Sequence, residues 1–185
     1  MSNQGEIKLL ILDVDGVLTD GTKTYDKDHK VISKKFKCKD FTAIKRIIAS
    51  GIRVVMVSGD NFNESMAKKR NIDFYCSRNS DLSLDKSRYV NLFEEKYGIS
   101  KSNMSFVGDD FFDLSIIKIL SYTFCPSDSP RIVKDNCKYT LTSKGGDGVI
   151  VELYDFLIEQ GFILDASEEI VNELDKKEIT SEEMK

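Results

Sequence analysis

Six short apolar runs punctuate the chain: "IKLLIL" (7–12), "IRVVMV" (52–57), "DFYC" (73–76), "MSFV" (104–107), "YTFC" (122–125) and "YTLT" (139–142). Their lengths suit strands. Between them, apolar residues recur at helical spacing. Phe41, Ile44 and Ile48 precede Gly51, and Val90, Phe93 and Tyr97 precede Gly98. Leu114, Ile117 and Leu120 repeat the stripe, as do Val149, Ile150, Leu153 and Leu157. A glycine just past such a stripe ends a helix. Strands that alternate with helices build a mainly parallel sheet, because parallel neighbours need crossover connections and the helices then cover both faces. The expected fold class is therefore α/β, a Rossmann-like parallel sheet with helices on both faces.

One segment breaks the alternation. "TKTY" and "VISKKF" flank the polar turn "DKDHK", which predicts a β-hairpin over about 22–36. It follows the first strand directly and so projects as a flap over that strand's carboxyl end. A chain of 185 residues leaves no room for a large cap domain beside the core. The expected domain spans 1–164. A charged tail, 165–185, follows as a solvated helix or a disordered segment.

A net charge of −4 offers nucleic acid or an anionic membrane no electrostatic hold, and neither is expected as a partner. The basic clusters (Lys34, Lys35, Lys37, Lys39; Lys68, Lys69, Arg70) read as solvated faces. No apolar stretch reaches membrane-spanning length, and "MSNQGEIK" lacks a signal-peptide layout. The cysteines (Cys38, Cys76, Cys125, Cys137) form no CxxC pair, and His29 is the sole histidine. They read as reduced thiols of a cytoplasmic protein, not zinc ligands.

Open parallel sheets bind ligands beyond the carboxyl ends of their strands, and there this chain concentrates acid. The first strand ends in Asp13-Val14-Asp15-Gly16, the second in Ser58-Gly59-Asp60, and the fourth in Gly108-Asp109-Asp110 with Asp113 one helical turn on. Lys86, with Asp85 as N-cap, opens the helix before that fourth strand. Crowded carboxylates raise one another's proton affinity unless a cation lies among them. An all-oxygen set suits Mg²⁺, with substrate phosphate completing its shell. One carboxylate can then attack phosphorus to form an aspartyl-phosphate. A second can hand a proton to the leaving oxygen and take one from water. A hydroxyl and an ammonium can hold the phosphoryl oxygens. Each residue also has an ordinary alternative. Asp13, Asp15 and Ser58 can be turn residues, Lys86 a solvated lysine, and Asp113 a helix-surface carboxylate. Asp40 can cap the helix it sits on, and "KGGDG" (144–148) can be a flexible connection.

Taken in order, "DVDG" (13–16), "VVMVSG" (54–59), Lys86 and "VGDDFFD" (107–113) resemble the haloacid dehalogenase superfamily of phosphatases. The resemblance implies Asp13 as nucleophile and Asp15 as acid/base. It implies Ser58, Gly59 and Lys86 as phosphate binders, and Mg²⁺ on Asp13, Asp109 and the backbone carbonyl of Asp15. Asp110 and Asp113 become outer or alternative ligands. Within the superfamily, "DVDGVLTDG", the hairpin, "FKCKDFTAIK", "VGDDFFDL" and "GGDGVIVELYDFL" resemble the 3-deoxy-D-manno-octulosonate 8-phosphate phosphatases and the related nine-carbon sugar-acid 9-phosphate phosphatases. That implies hydrolysis of a keto-deoxy sugar-acid phosphate in lipopolysaccharide-type glycan synthesis, with Lys39 and Asp40 on the substrate side. It also implies a homotetramer in which a neighbour helps close each site.

Two departures bear on the substrate. Asp60 stands where the octulosonate enzymes usually carry Arg and the nine-carbon enzymes an acidic residue. The loop 76–85 is also longer than usual. A receiver-type phospho-acceptor domain uses similar groups, but "GDDFFD" after the fourth strand counts against it.

Overall fold

The computed structural model describes residues 6–78 and 85–183; positions 79–84 of the long loop lie outside the described residues. The chain runs β1 (Leu9–Leu12), the hairpin β2 (Thr24–Tyr25) and β3 (Val31–Ser33), α1 (Cys38–Ala49), β4 (Arg53–Ser58), α2 (Glu64–Lys69) and β5 (Asp73–Cys76). It continues through α3 (Arg88–Tyr97), β6 (Met104–Val107), α4 (Leu114–Ile117), β7 (Tyr122–Cys125), α5 (Arg131–Asn136), β8 (Tyr139–Thr140), α6 (Val149–Glu159) and α7 (Glu168–Glu183). Outside the hairpin, six strands form one parallel sheet in the order β5-β4-β1-β6-β7-β8. That is the doubly wound order, with its switch point between β1 and β6, where such sheets bind ligands. It differs from the flavodoxin-like order of receiver-type domains.

All four residues of β1 are buried, because both faces of the sheet are covered. A central parallel strand reads as an unbroken apolar run for that reason. Leu10, Leu12, Val54 and Met56 pack with Ile44 and Ile47 of α1 and Leu153 and Leu157 of α6. Leu9, Ile11, Val55 and Val57 pack the other way, with Tyr89 and Phe93 of α3 and Ile116 of α4. Each such side chain contributes roughly 1.5–3 kcal/mol on burial. Leu12 stands opposite both Met56 and Val107. The three strands therefore end nearly level, and Asp13, Ser58 and Gly108 emerge at one rim.

Several local expectations shift. The stripe from Leu114 yields only the short helix α4, and "YTLT" pairs only at Tyr139–Thr140, on the sheet edge. α2 and α5 were too short to leave a stripe in the sequence. α3 opens at Arg88, with Ser87 as N-cap. Asp85 serves the turn ahead, accepting from Ser87 N (3.0 Å) and Oγ (2.7 Å). The charged segment forms α7, which packs on α1. Val171 is buried there, and Lys45 pairs with Asp175 and, at 2.9 Å, with Glu178. Among the described residues no helix is long and apolar enough to cross a membrane.

Asp40 does not cap its own helix. Its buried carboxylate accepts from Ile150 N (2.8 Å) and Val151 N (3.2 Å). It thus satisfies the free N–H groups at the start of α6, where the N-cap is Gly148 and supplies no side chain. Burial raises the Asp40 pKa, against the pull of those N–H groups.

Candidate active site

The loop that follows β1 can be built only with glycine at position 16. Gly16 has φ +87°, and a Cβ there would lie 2.0 Å from Asp109 Oδ2. The "KGGDG" segment backs this loop and is no loose connection. Gly146 N donates to Val17 O at 2.9 Å, and a Cβ on Gly145 would sit 2.2 Å from Gly16 O.

Lys86 reaches the rim with its side chain 6% exposed. Its ammonium donates to Asp13 Oδ1 (2.9 Å) and Asp113 Oδ1 (2.5 Å). The other oxygen of Asp113 accepts from Asp109 N (2.9 Å) and Asp110 N (3.0 Å). Asp113 is fully buried, so it is no helix-surface carboxylate. It ties the ammonium to the backbone that presents Asp109. Asp110 spends its carboxylate on Phe111 N (2.6 Å), in a reciprocal capping box with Asp113.

Carboxylate oxygens of Asp13, Asp109 and Asp113 lie within 4.8 Å of one another. Burial pushes Asp13 up to about 7 although Lys86 pulls it down, and Asp113 adds to the rise. Burial, Asp13, Asp113 and Asp110 push Asp109 up to about 8. Burial works against the charge of Lys86 too, yet Asp13 and Asp113 hold its pKa above the ordinary lysine value. Asp109 Oδ1 is buried without a hydrogen-bond partner. An excess of negative charge, oxygen donors only and an orphaned carboxylate oxygen together fit a hard divalent cation.

A second cluster lies beside the first, and the hairpin supplies its cations. The Lys34 ammonium stands 2.7 and 2.9 Å from the two oxygens of Asp15. It also lies 3.0 Å from Asp60 and 3.2 Å from Asn63 Oδ1. Lys23 pairs with Asp60 at 2.9 Å and Asp15 at 3.5 Å. Burial alone would raise Asp60, but Lys23, the Phe62 N–H and Lys34 hold it well below the usual carboxylate range. Ser58 Oγ accepts from Asn63 Nδ2 (3.1 Å) and Asp60 N (3.3 Å), which orients its own proton for donation. Both clusters line one cavity of about 320 Å³, with Arg78 beside Gly59 at its edge.

Known proteins carry the same arrangement of strands. A family model described as haloacid dehalogenase-like hydrolase matches residues 76–153. The 3-deoxy-D-manno-octulosonate 8-phosphate phosphatase of Haemophilus influenzae is 29% identical over 153 residues, 83% of each chain. The structure of the cobalt-bound form of the Haemophilus influenzae phosphatase aligns with a TM-score of 0.76 at 29% identity, covering 84% of this chain and 90% of that one. The Moraxella catarrhalis phosphatase, crystallised with magnesium, phosphate and the sugar acid, shares the fold at 24% identity, with a TM-score of 0.74 and coverage of 83% and 86%. The fold is that of the haloacid dehalogenase-like hydrolases.

On this haloacid dehalogenase-like frame, Asp13, Asp15, Ser58, Gly59, Asp60, Lys86, Asp109, Asp110 and Asp113 share one cavity, as expected from the strand ends. Two expected residues stand apart. Asp40 caps α6, and Lys39 lines a separate groove with Lys37 and Asp147. Both sit in the first turn of α1. The Asp15 carboxylate lies with the hairpin lysines, outside the Asp13–Asp109–Asp113 group. Lys34 overturns the solvated-face reading, because the hairpin folds inward and buries its side chain completely. Lys23, Asn63 and Arg78 went unnoticed in the sequence. Asn63 alone left a trace, as a polar residue just past the Ser58 strand end.

Proposed function

We propose that this protein is a Mg²⁺-dependent phosphatase that hydrolyses the phosphate monoester of a keto-deoxy sugar acid, of the 3-deoxy-D-manno-octulosonate 8-phosphate type, through an aspartyl-phosphate. The observation that carries the chemistry is the Lys86-bridged carboxylate cluster at the β1 rim. The substrate class is supported by the relatives that align over most of the chain. In this reading the Asp13 oxygen not bonded to Lys86 attacks phosphorus, and the bond from phosphorus to the sugar oxygen breaks. Asp15 gives that oxygen a proton. Asp15 then takes a proton from water, which attacks the aspartyl-phosphate and frees inorganic phosphate. Ser58, the Gly59 N–H and Lys86 hold the phosphoryl oxygens where charge develops. Mg²⁺, held by Asp13, Asp109 and the Asp15 carbonyl, supplies the positive charge that lets an anionic phosphate approach an anionic carboxylate. The reading places the enzyme in the cytoplasm, where its free thiols stay reduced.

A hydrolysis screen over eight- and nine-carbon keto-acid phosphates, with hexose phosphates as controls, tests the assignment. The eight-carbon substrate is expected to lead the hexose phosphates by at least about tenfold in kcat/KM. Excess chelator is expected to remove the activity and Mg²⁺ to restore it, while Asp109→Ala is expected to weaken metal binding and so raise the Mg²⁺ concentration needed for half-maximal activity. A lead for the nine-carbon acids moves the substrate assignment. Full activity in chelator ends the metal assignment.

The same reading includes a homotetramer closed through the hairpin. Tyr25 is 47% and Ile32 56% exposed on strands of two and three residues, and so short a hairpin is marginal by itself. Phe36 packs against Phe41 of its own chain, with ring centroids 5.6 Å apart, whereas Tyr25 meets the His29 ring of the hairpin turn, at 5.4 Å, and both Tyr25 and Ile32 stay exposed. Replacing both with Asp is expected to lower the solution mass and turnover together. An unchanged mass by light scattering would count against this assembly.

A further inference from the structure

One buried cation beside the cavity stands outside the phosphate-holding set of the proposed reading. Lys34 projects from the end of β3, and its side chain is wholly buried. Its ammonium touches both oxygens of Asp15, at 2.7 and 2.9 Å. It is itself held by Asp60 (3.0 Å) and Asn63 Oδ1 (3.2 Å), and lies 5.5 Å from the centroid of the Phe62 ring. Asn63, fully buried, carries the chain of contacts on to Ser58 Oγ at 3.1 Å. A lysine held on so many sides cannot swing freely, and it fixes the Asp15 carboxyl by a hydrogen bond to Oδ2, leaving the buried Oδ1, which has no hydrogen-bond partner, to carry a proton.

We propose that Lys34 is the positioning residue for Asp15, clamping its carboxyl in the orientation from which it exchanges protons with the leaving oxygen and with water. The proposal rests on the assignment of Asp15 as the proton carrier. In the first step the bond from phosphorus to the leaving oxygen breaks as the bond from Asp13 to phosphorus forms, and the Asp15 proton goes to that oxygen. Misplacing a catalytic group by about 1 Å can cost a hundredfold. Only leaving groups that need a proton feel this loss in kcat/KM, which reports the steps through leaving-group departure. An ion-pair cluster that merely stabilised the fold would affect all substrates alike.

The experiment compares Lys34→Gln and Lys34→Arg on a sugar phosphate and on p-nitrophenyl phosphate, whose phenolate departs without a proton. Lys34→Gln is expected to lower kcat/KM for the sugar phosphate by about 10- to 100-fold, and by a much smaller factor for the aryl phosphate. Lys34→Arg is expected to recover part of the difference. Equal losses on both substrates, or none on either, would overturn the proposal. Thermal melting accompanies each variant. Should Lys34→Gln fail to fold, Asp60→Asn loosens Lys34 without removing it and is expected to show the same substrate difference in smaller degree; no difference there counts against the proposal. Asp15→Asn runs in parallel. A loss of kcat/KM in that variant that falls mainly on the sugar phosphate keeps the proton-carrier assignment intact, so a failure with Lys34 then falls on this proposal alone. Unchanged kcat/KM on the sugar phosphate removes the reading on which it rests.

Discussion

Asp13→Asn is expected to lower turnover by at least about a thousandfold, the scale on which nucleophile removal acts, while the protein stays folded. Asp13 leaves β1 at the sheet's switch point, its N–H still bonded to Val107 O at 2.9 Å, so the backbone places it whatever its side chain. The substitution is also expected to leave the cation-free protein as stable as wild type, or more so, at pH 8. Asp13 shares a buried pocket with Asp109 and Asp113, and burial raises its pKa from 3.8 to about 7 despite Lys86. The folded state therefore binds this proton more tightly than the unfolded state does. The carboxyl contributes its full share below the unfolded pKa, and that share is lost as pH rises toward about 7. An amide carries no such loss. Phosphate release and melting in chelator, at pH 5 and pH 8 on one sample, check both halves. Turnover within tenfold of wild type would sink the nucleophile assignment. A melting temperature well below wild type at pH 8 would contradict the electrostatic account.

Lys86→Met is expected to damage stability and activity together. The ammonium lies between Asp13 and Asp113, whose side chains are 9% and 0% exposed. Removing one partner of a buried ion pair leaves uncompensated charge, at about 3–5 kcal/mol. Part of that cost is met when Asp13 takes up a proton, so the loss is expected to be greatest above pH 7. A phosphate in the site also loses its cation, and kcat/KM is expected to fall by at least about a hundredfold. Lys86→Arg is not expected to rescue, because a planar guanidinium does not fit a slot shaped to an ammonium. Lys39→Met is the control. It lines a separate groove and is expected to stay within about 0.5 kcal/mol of wild type. A Lys86→Met protein that melts with wild type would show that the ammonium does not neutralise this cluster.

The sequence by itself determined the layering of this protein and the rim on which its acidic cluster gathers. An unbroken run such as Leu9–Leu12 is what a strand covered on both faces requires. The residues at or just beyond strand ends, Asp13, Asp15, Ser58 and Asp109, could be read from position alone, because the backbone carries them to the rim. Tertiary structure decided what each charge does there. Asp113 sits one turn past Asp109, a spacing that suits a surface helix as well as a buried strut. Only its contacts with Lys86 and two backbone N–H groups settle the matter. Asp40 caps a helix that begins more than a hundred residues later in the chain. Lys34 and Lys35 are neighbours of identical chemistry, yet one is buried against Asp15 and Asp60 while the other is exposed. Local spacing fixes the direction of a backbone over a few residues. The role of a charge depends on which opposite charges lie within a few ångströms, and for these residues those partners come from distant segments that only folding brings together.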